Sequence, residues 1–120
     1  MGAEQKWQVR LYQTPEGRIP VLDFLTGLPP KDRAKVRQSI GRLETFGPRL
    51  GFPDTGDVKD TPFRELRTRF AGQQYRILYV QDGRAFIVFA GFHKTSDRDL
   101  ARAVREAEGY LASYRLEGKE

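Results

Sequence analysis

The chain has 120 residues, 38% of them hydrophobic, which suits one compact domain over residues 1–120 with a modest core. It lacks cysteine, which excludes disulfides, thiolate nucleophiles and thiolate metal sites, and no apolar run approaches membrane-spanning length. There are 21 Lys+Arg against 16 Asp+Glu, a formal charge of +5 that favours an anionic partner.

From the start, Met1 to Trp7 lack the apolar stretch of a signal peptide, so a cytoplasmic location is expected. Lys6 to Tyr12 alternates apolar and polar residues with Trp7, Val9 and Leu11 on one face, the pattern of a strand ending at Thr14-Pro15-Glu16-Gly17. Pro20 to Leu25 carries Val21, Phe24 and Leu25 at helical spacing and stops before Gly27-Leu28-Pro29-Pro30, predicting a short helix. A longer helix is expected from Pro30 to Phe46, with Val36, Ile40, Leu43 and Phe46 on one side and Gly47-Pro48 as its stop. Its other side carries Lys31, Lys35, Gln38 and Arg42, with Arg33 and Arg37 nearby. That basic stripe suits a nucleic-acid backbone, and a solvated helix face has the same pattern. The Gly-, Pro- and Asp-rich stretch from Gly47 to Pro62 reads as a loop, with Lys59 near its end.

Phe63 to Lys94 reads as three strands. Asp82-Gly83 suits a type I′ turn, which sets Gln81 opposite Arg84, Tyr79 opposite Phe86, Ile77 opposite Val88 and Arg76 opposite Phe89. One face then holds Tyr75, Ile77, Tyr79, Phe86, Val88 and Ala90. The other holds Arg76, Leu78, Val80, Ile87, Phe89, Gly91 and His93. Whether Ala71 to Gln74 closes as a two- or a four-residue loop, Arg67, Arg69 and Arg76 share a face with Glu65. Like charges set opposite one another call for a compensating anion: Glu65, an acidic partner or a phosphate backbone. One carboxylate cannot neutralise three guanidinium groups, and a solvated basic face with one Glu–Arg pair fits the pattern too. After Lys94, Thr95-Ser96-Asp97 can cap a helix whose apolar stripe is Leu100, Val104, Ala107, Leu111 and Tyr114, with Gly118 to Glu120 expected to fray.

The order β-α-α-β-β-β-α predicts an α+β fold: a small, mainly antiparallel sheet with helices packed on one face. The aromatic-rich face is the one expected beneath the helices, leaving the Arg76 face open. The sequence holds no HExxH, no paired histidines and no carboxylate cluster near the basic strands, so neither a metal nor another cofactor is expected. No Gly-rich phosphate loop is present. Guanidinium groups with one lysine and one histidine suit RNA cleavage by the 2′-hydroxyl, in which cationic donors stabilise charge on the phosphate and His93 or a lysine moves protons.

Pro20-Val-Leu-Asp-Phe-Leu, Leu28-Pro-Pro-Lys, Leu43-Glu-Thr-Phe-Gly-Pro, Glu65-Leu-Arg, Tyr75-Arg-Ile-Leu-Tyr and Gly91-Phe-His-Lys-Thr occur in an order and spacing that resembles the HigB-like, phage-derived branch of the RelE/ParE toxin superfamily. The likeness runs from about Trp7 to Tyr114. It implies a RelE-like fold and the toxin of a type II toxin–antitoxin pair, a metal-independent endoribonuclease that cuts mRNA on the ribosome and inhibits translation. The implied partner is a cognate helix-turn-helix antitoxin. Arg67 and Arg76 match the family's basic strand positions, Lys94 matches its basic residue at the end of the last strand, and Lys59 stands just before the meander. On this reading Arg67 and Arg76 hold the scissile phosphate and Lys94 or His93 moves protons, while Lys59, Arg69, Lys35 and Arg42 bind RNA. The alternatives are a ParE-like inhibitor of gyrase that cuts nothing, and a basic nucleic-acid or partner-binding domain without catalysis.

Overall fold

The computed structural model describes residues 7–118, so what the sequence suggests for residues 1–6 and 119–120 lies outside the described residues. The elements are β1 (Gln8–Leu11), α1 (Pro20–Thr26), α2 (Pro30–Phe46), a 3₁₀ turn (Gly47–Arg49), β2 (Thr55–Asp57), β3 (Arg64–Phe70), β4 (Gln73–Asp82), β5 (Ala85–His93) and α3 (Asp97–Leu116). They form an α+β fold around a five-stranded sheet of order β1-β5-β4-β3-β2. Only β1 and β5 run parallel; the other neighbours are antiparallel, as expected for a mainly antiparallel sheet.

Local chemistry accounts for the helices. Pro20 and Pro30 each occupy the first helical position, where a missing N–H costs nothing and the fixed φ suits the helix. Arg33 of α2 reaches back to the carbonyls of Leu25, Thr26 and Leu28 at 2.9, 3.3 and 3.0 Å, satisfying the open end of α1. Read in sequence as part of a basic stripe, Arg33 is committed to this cap. At the start of α3, the Asp99 carboxylate accepts from the N–H groups of Thr95 and Ser96 and from the Thr95 hydroxyl, at 2.7, 3.0 and 2.7 Å.

The helices do not share one face. α1 and α2 cover the face of Tyr75, Ile77, Tyr79, Phe86 and Val88, whereas α3 packs on the other, against Leu78, Ile87, Phe89 and Ala90. The reason lies in β5, where Ala85 to Ala90 are all buried: a strand apolar on both sides needs cover on both. The α3 stripe that provides it is Ala103, Ala107, Leu111 and Tyr114, with Leu100 and Val104 half-buried at its edge.

Turns and register depart from expectation in an instructive way. Phe70 pairs with Gln73, so the two-residue loop is Ala71-Gly72, with φ of 52° and 80°, both positive as in a type I′ turn. The following hairpin pairs Asp82 with Ala85, so its loop is Gly83-Arg84 and positive φ occurs only at Gly83, as in a type II′ turn. Gln81 therefore faces Phe86 and not Arg84, a shift of whole pairs that leaves the faces near the turn unchanged. Farther along, a bulge between Leu78 and Tyr79 sets Tyr79 opposite Val88 but Leu78 opposite Ala90, and Arg76 opposite Phe92 in place of Phe89. Beyond the bulge, Ala90 joins the α3 core, while Gly91 and His93 fall on the α1 side. The stretch read as loop also contains β2, a three-residue edge strand of Thr-Gly-Asp in which Gly56 and Asp57 are poor strand formers.

Candidate functional site

Because α3 covers β5 and the adjoining part of β4, the far end of the same face is left to polar residues of β3 and β4. Arg67 and Arg76 lie directly opposite each other there, with Glu65 and Gln74 on the same face. Glu65 is buried at this end. Its Oε2 accepts from Arg67 Nε and Nη2 at 3.1 and 3.0 Å and from Arg76 Nη1 at 2.8 Å. Gln74 Oε1 accepts from Arg76 Nη2 at 2.8 Å. Each guanidinium so commits two of its five N–H groups, and one carboxylate faces two cations. The Glu65 Oε1 atom is buried without a hydrogen-bond partner. The side chains of Arg76 and Arg67 are 12% and 27% exposed, so Arg67 is the more open of the two.

Gly56 explains how Arg67 lies flat on the sheet edge. It pairs with Glu65, and a Cβ placed on it would stand 2.5 Å from Arg67 Nη2. Any side chain here would push the guanidinium away from Glu65. The same edge forms a cleft of about 270 Å³ lined by Arg42, Pro53, Asp54, Arg67 and Arg69. Arg42 crosses from α2 to Asp54 at 3.2 Å, and Asp54 O accepts the Arg67 N–H at 2.7 Å. Arg69 is exposed, and Lys35 of α2 stands over the Phe70 ring at 5.6 Å. Arg42, Arg67 and Arg69 thus converge, with Lys35 continuing the basic edge along α2.

Lys94 N–H bonds to Gln74 O at 2.8 Å, which extends the β4–β5 ladder and sets Lys94 beside Gln74 on the Arg76 side; its Nζ is 3.9 Å from Asp97. His93 does not join this group. The bulge sets it opposite Tyr75 on the reverse of the sheet, with ring centroids 5.1 Å apart. The Tyr75 hydroxyl donates to Asp32 of α2, and burial, reinforced by this bond and the aspartate charge, pushes it up to about 12. Tyr75 therefore stays protonated and braces α2 from behind Arg76. Lys59 also stands apart. It follows Val58, whose N–H bonds to Phe63 O, so it lies roughly 16 Å along the strand direction from Arg67.

Gln74 and Asp54 belong to the cluster and escaped the sequence reading. Gln74 had a signal, being two residues from Arg76 on the same strand face. Asp54 had none without β2. Among the described residues, no group of three or more His, Asp or Glu side chains comes together to hold a metal ion. Among the same described residues, no helix is long and apolar enough to cross a membrane. Residues 23–112 match the family model for "Phage derived protein Gp49-like (DUF891)", a span that includes the whole Glu65–Arg67–Arg76 cluster. No curated protein matches the chain.

Proposed function

The chain belongs to the phage-derived Gp49-like family, within the RelE/ParE-like toxins, and from that premise we propose that it is a HigB-like toxin that cuts mRNA on the ribosome. The observation that carries the reading is the pair of guanidinium groups, Arg67 opposite Arg76, held by one carboxylate and left with unused donors and net positive charge. In the proposed reaction the RNA 2′-oxygen bonds to phosphorus as the bond from phosphorus to the 5′-oxygen breaks, giving a cyclic phosphate and a 5′-hydroxyl. Charge gathers on the non-bridging oxygens, and Arg67 and Arg76 stabilise it. Glu65 is a positioning residue that fixes both guanidinium planes. Lys94, set beside Gln74 on this side, carries the ammonium that moves a proton to or from the reacting oxygens. His93, on the reverse face, takes no part. Arg69, Arg42 and Lys35 bind the flanking backbone, and the ribosome supplies the remaining orientation of the message. A cognate antitoxin of helix-turn-helix type would block this corner with acidic residues, the chemistry that complements it.

Induction in cells, followed by mapping of message 5′ ends, tests the proposal. Translated messages are expected to be cut only where ribosomes are present, and Arg76→Ala is expected to cut at least roughly a hundredfold more slowly while RNA affinity falls less. Intact messages with cleaved DNA trapped on gyrase would overturn the reading in favour of a ParE-like inhibitor.

A further inference from the structure

We infer that Phe52 is a stacking platform for an unpaired nucleobase whose phosphate lies in the Arg42–Arg67–Arg69 cleft. This rests on the proposed RNA-cutting function and adds a substrate contact that the phosphate-binding cluster does not contain. Phe52 is 87% exposed, whereas the other phenylalanine, tyrosine and tryptophan side chains among the described residues are buried or half-buried, except Phe46 at 43%. An aromatic ring in water at the tip of a loop contributes nothing to the core, and it offers a flat apolar surface to a ligand.

The loop that carries it is fixed. Asp54 and Thr55 N–H groups bond to Gly51 O at 2.8 and 3.1 Å, Thr55 Oγ1 donates to Leu50 O at 2.7 Å, and Arg67 N–H reaches Asp54 O at 2.7 Å. The last of these bonds ties the loop to the backbone of the very arginine proposed to hold phosphate. Pro53, the next residue after Phe52, is a wall of the basic cleft. A nucleotide joins a flat π-surface to an anion through one sugar, and here an exposed ring and an arginine cleft stand on adjacent residues. Bases in a duplex have their faces covered by neighbours, so such a site selects single strands, and stacking tolerates any base. The pair Phe70 and Lys35 continues the same edge beyond Arg69.

The test uses the intact chain, a short 2′-O-methyl RNA that cannot be cut, and the variants Phe52→Trp, Phe52→Tyr and Phe52→Ala. Trp7 lies against Phe86 and Arg84, and the wild-type chain supplies its background emission. Emission of the Phe52→Trp variant is expected to be quenched by the single strand and much less by the duplex of the same sequence. Phe52→Ala is expected to weaken single-strand binding roughly tenfold, and Phe52→Tyr to restore it. Quenching in a protein that cuts no message would uphold the platform and sink the nuclease reading. Ribosome-dependent cutting and RNA binding that are both unchanged in Phe52→Ala would overturn the platform and leave the nuclease reading standing. Unchanged RNA binding with weakened antitoxin binding would assign Phe52 to protein docking and equally overturn it.

Discussion

The two faces of the sheet alternate residues in the same way and end differently. On the α1–α2 face, Tyr75, Ile77, Tyr79, Phe86 and Val88 are all buried, and the exposed residues, Gln81 and His93, stand at the strand ends. On the α3 face the apolar half, Leu78, Ile87, Phe89 and Ala90, is just as dry, but it gives way to Glu65, Arg67, Gln74 and Arg76 where the helix no longer reaches. The first kind of surface is held by packing and the second by directional hydrogen bonds around one carboxylate. A fold can spend stability at such a corner because the rest of the sheet supplies it.

The largest effect separates the two halves of the α3 face. Phe89 is the extra residue of the bulge, and its ring meets Tyr12, Phe63 and Tyr114 at centroid distances of 5.3, 6.1 and 5.9 Å. Phe89→Ala is expected to destabilise the chain by about 4 kcal/mol in urea titrations. Glu65→Ala comes next, at about 3 kcal/mol, because it leaves two mostly covered guanidinium groups facing each other. If Glu65→Ala cost under about 1 kcal/mol, the corner would behave as a solvated surface pair and the contrast between packed and hydrogen-bonded halves would fail.

Much of this contrast was legible in the residues. Alternation and an even loop are enough to place Arg67, Arg69 and Arg76 on the face of Glu65, and the Glu65 pairing follows from charge. His93 was misplaced for one physical reason: a bulge changes side-chain parity, and nothing in Leu78-Tyr79 or Phe89-Ala90 announces one. The second helical layer was visible and went unread, since Ala85-Phe-Ile-Val-Phe-Ala offers no polar face for an open sheet. β2 was hidden because Gly56, a weak strand former, is needed to make room for Arg67.

A smaller effect concerns the hairpin that sets which arginines face each other. Ala71 has φ of 52°, a left-handed conformation that its Cβ disfavours, at the first loop position between Phe70 and Gln73. Ala71→Asn yields the Asn-Gly pair that type I′ turns prefer, and a gain of about 1 kcal/mol is expected without a change in cleavage. Lost stability would mean that the loop is not a type I′ turn. The opposition of Arg67 and Arg76 would then need another origin.

The smallest effect is at the start of α3, the helix whose reach decides how much of the face stays open. The Thr95 hydroxyl and the N–H groups of Thr95 and Ser96 hold the Asp99 carboxyl below its ordinary value of 3.8. A depressed folded value means that the bonus is present above the unfolded value and is lost as pH falls through the folded one. Asp99→Asn is therefore expected to melt below the wild type at neutral pH, with the two melting curves converging as pH falls below about 3.8. A gap that persists unchanged to pH near 2 would show that Asp99 acts through shape and not charge. The cap would then do no electrostatic work in fixing where α3 begins.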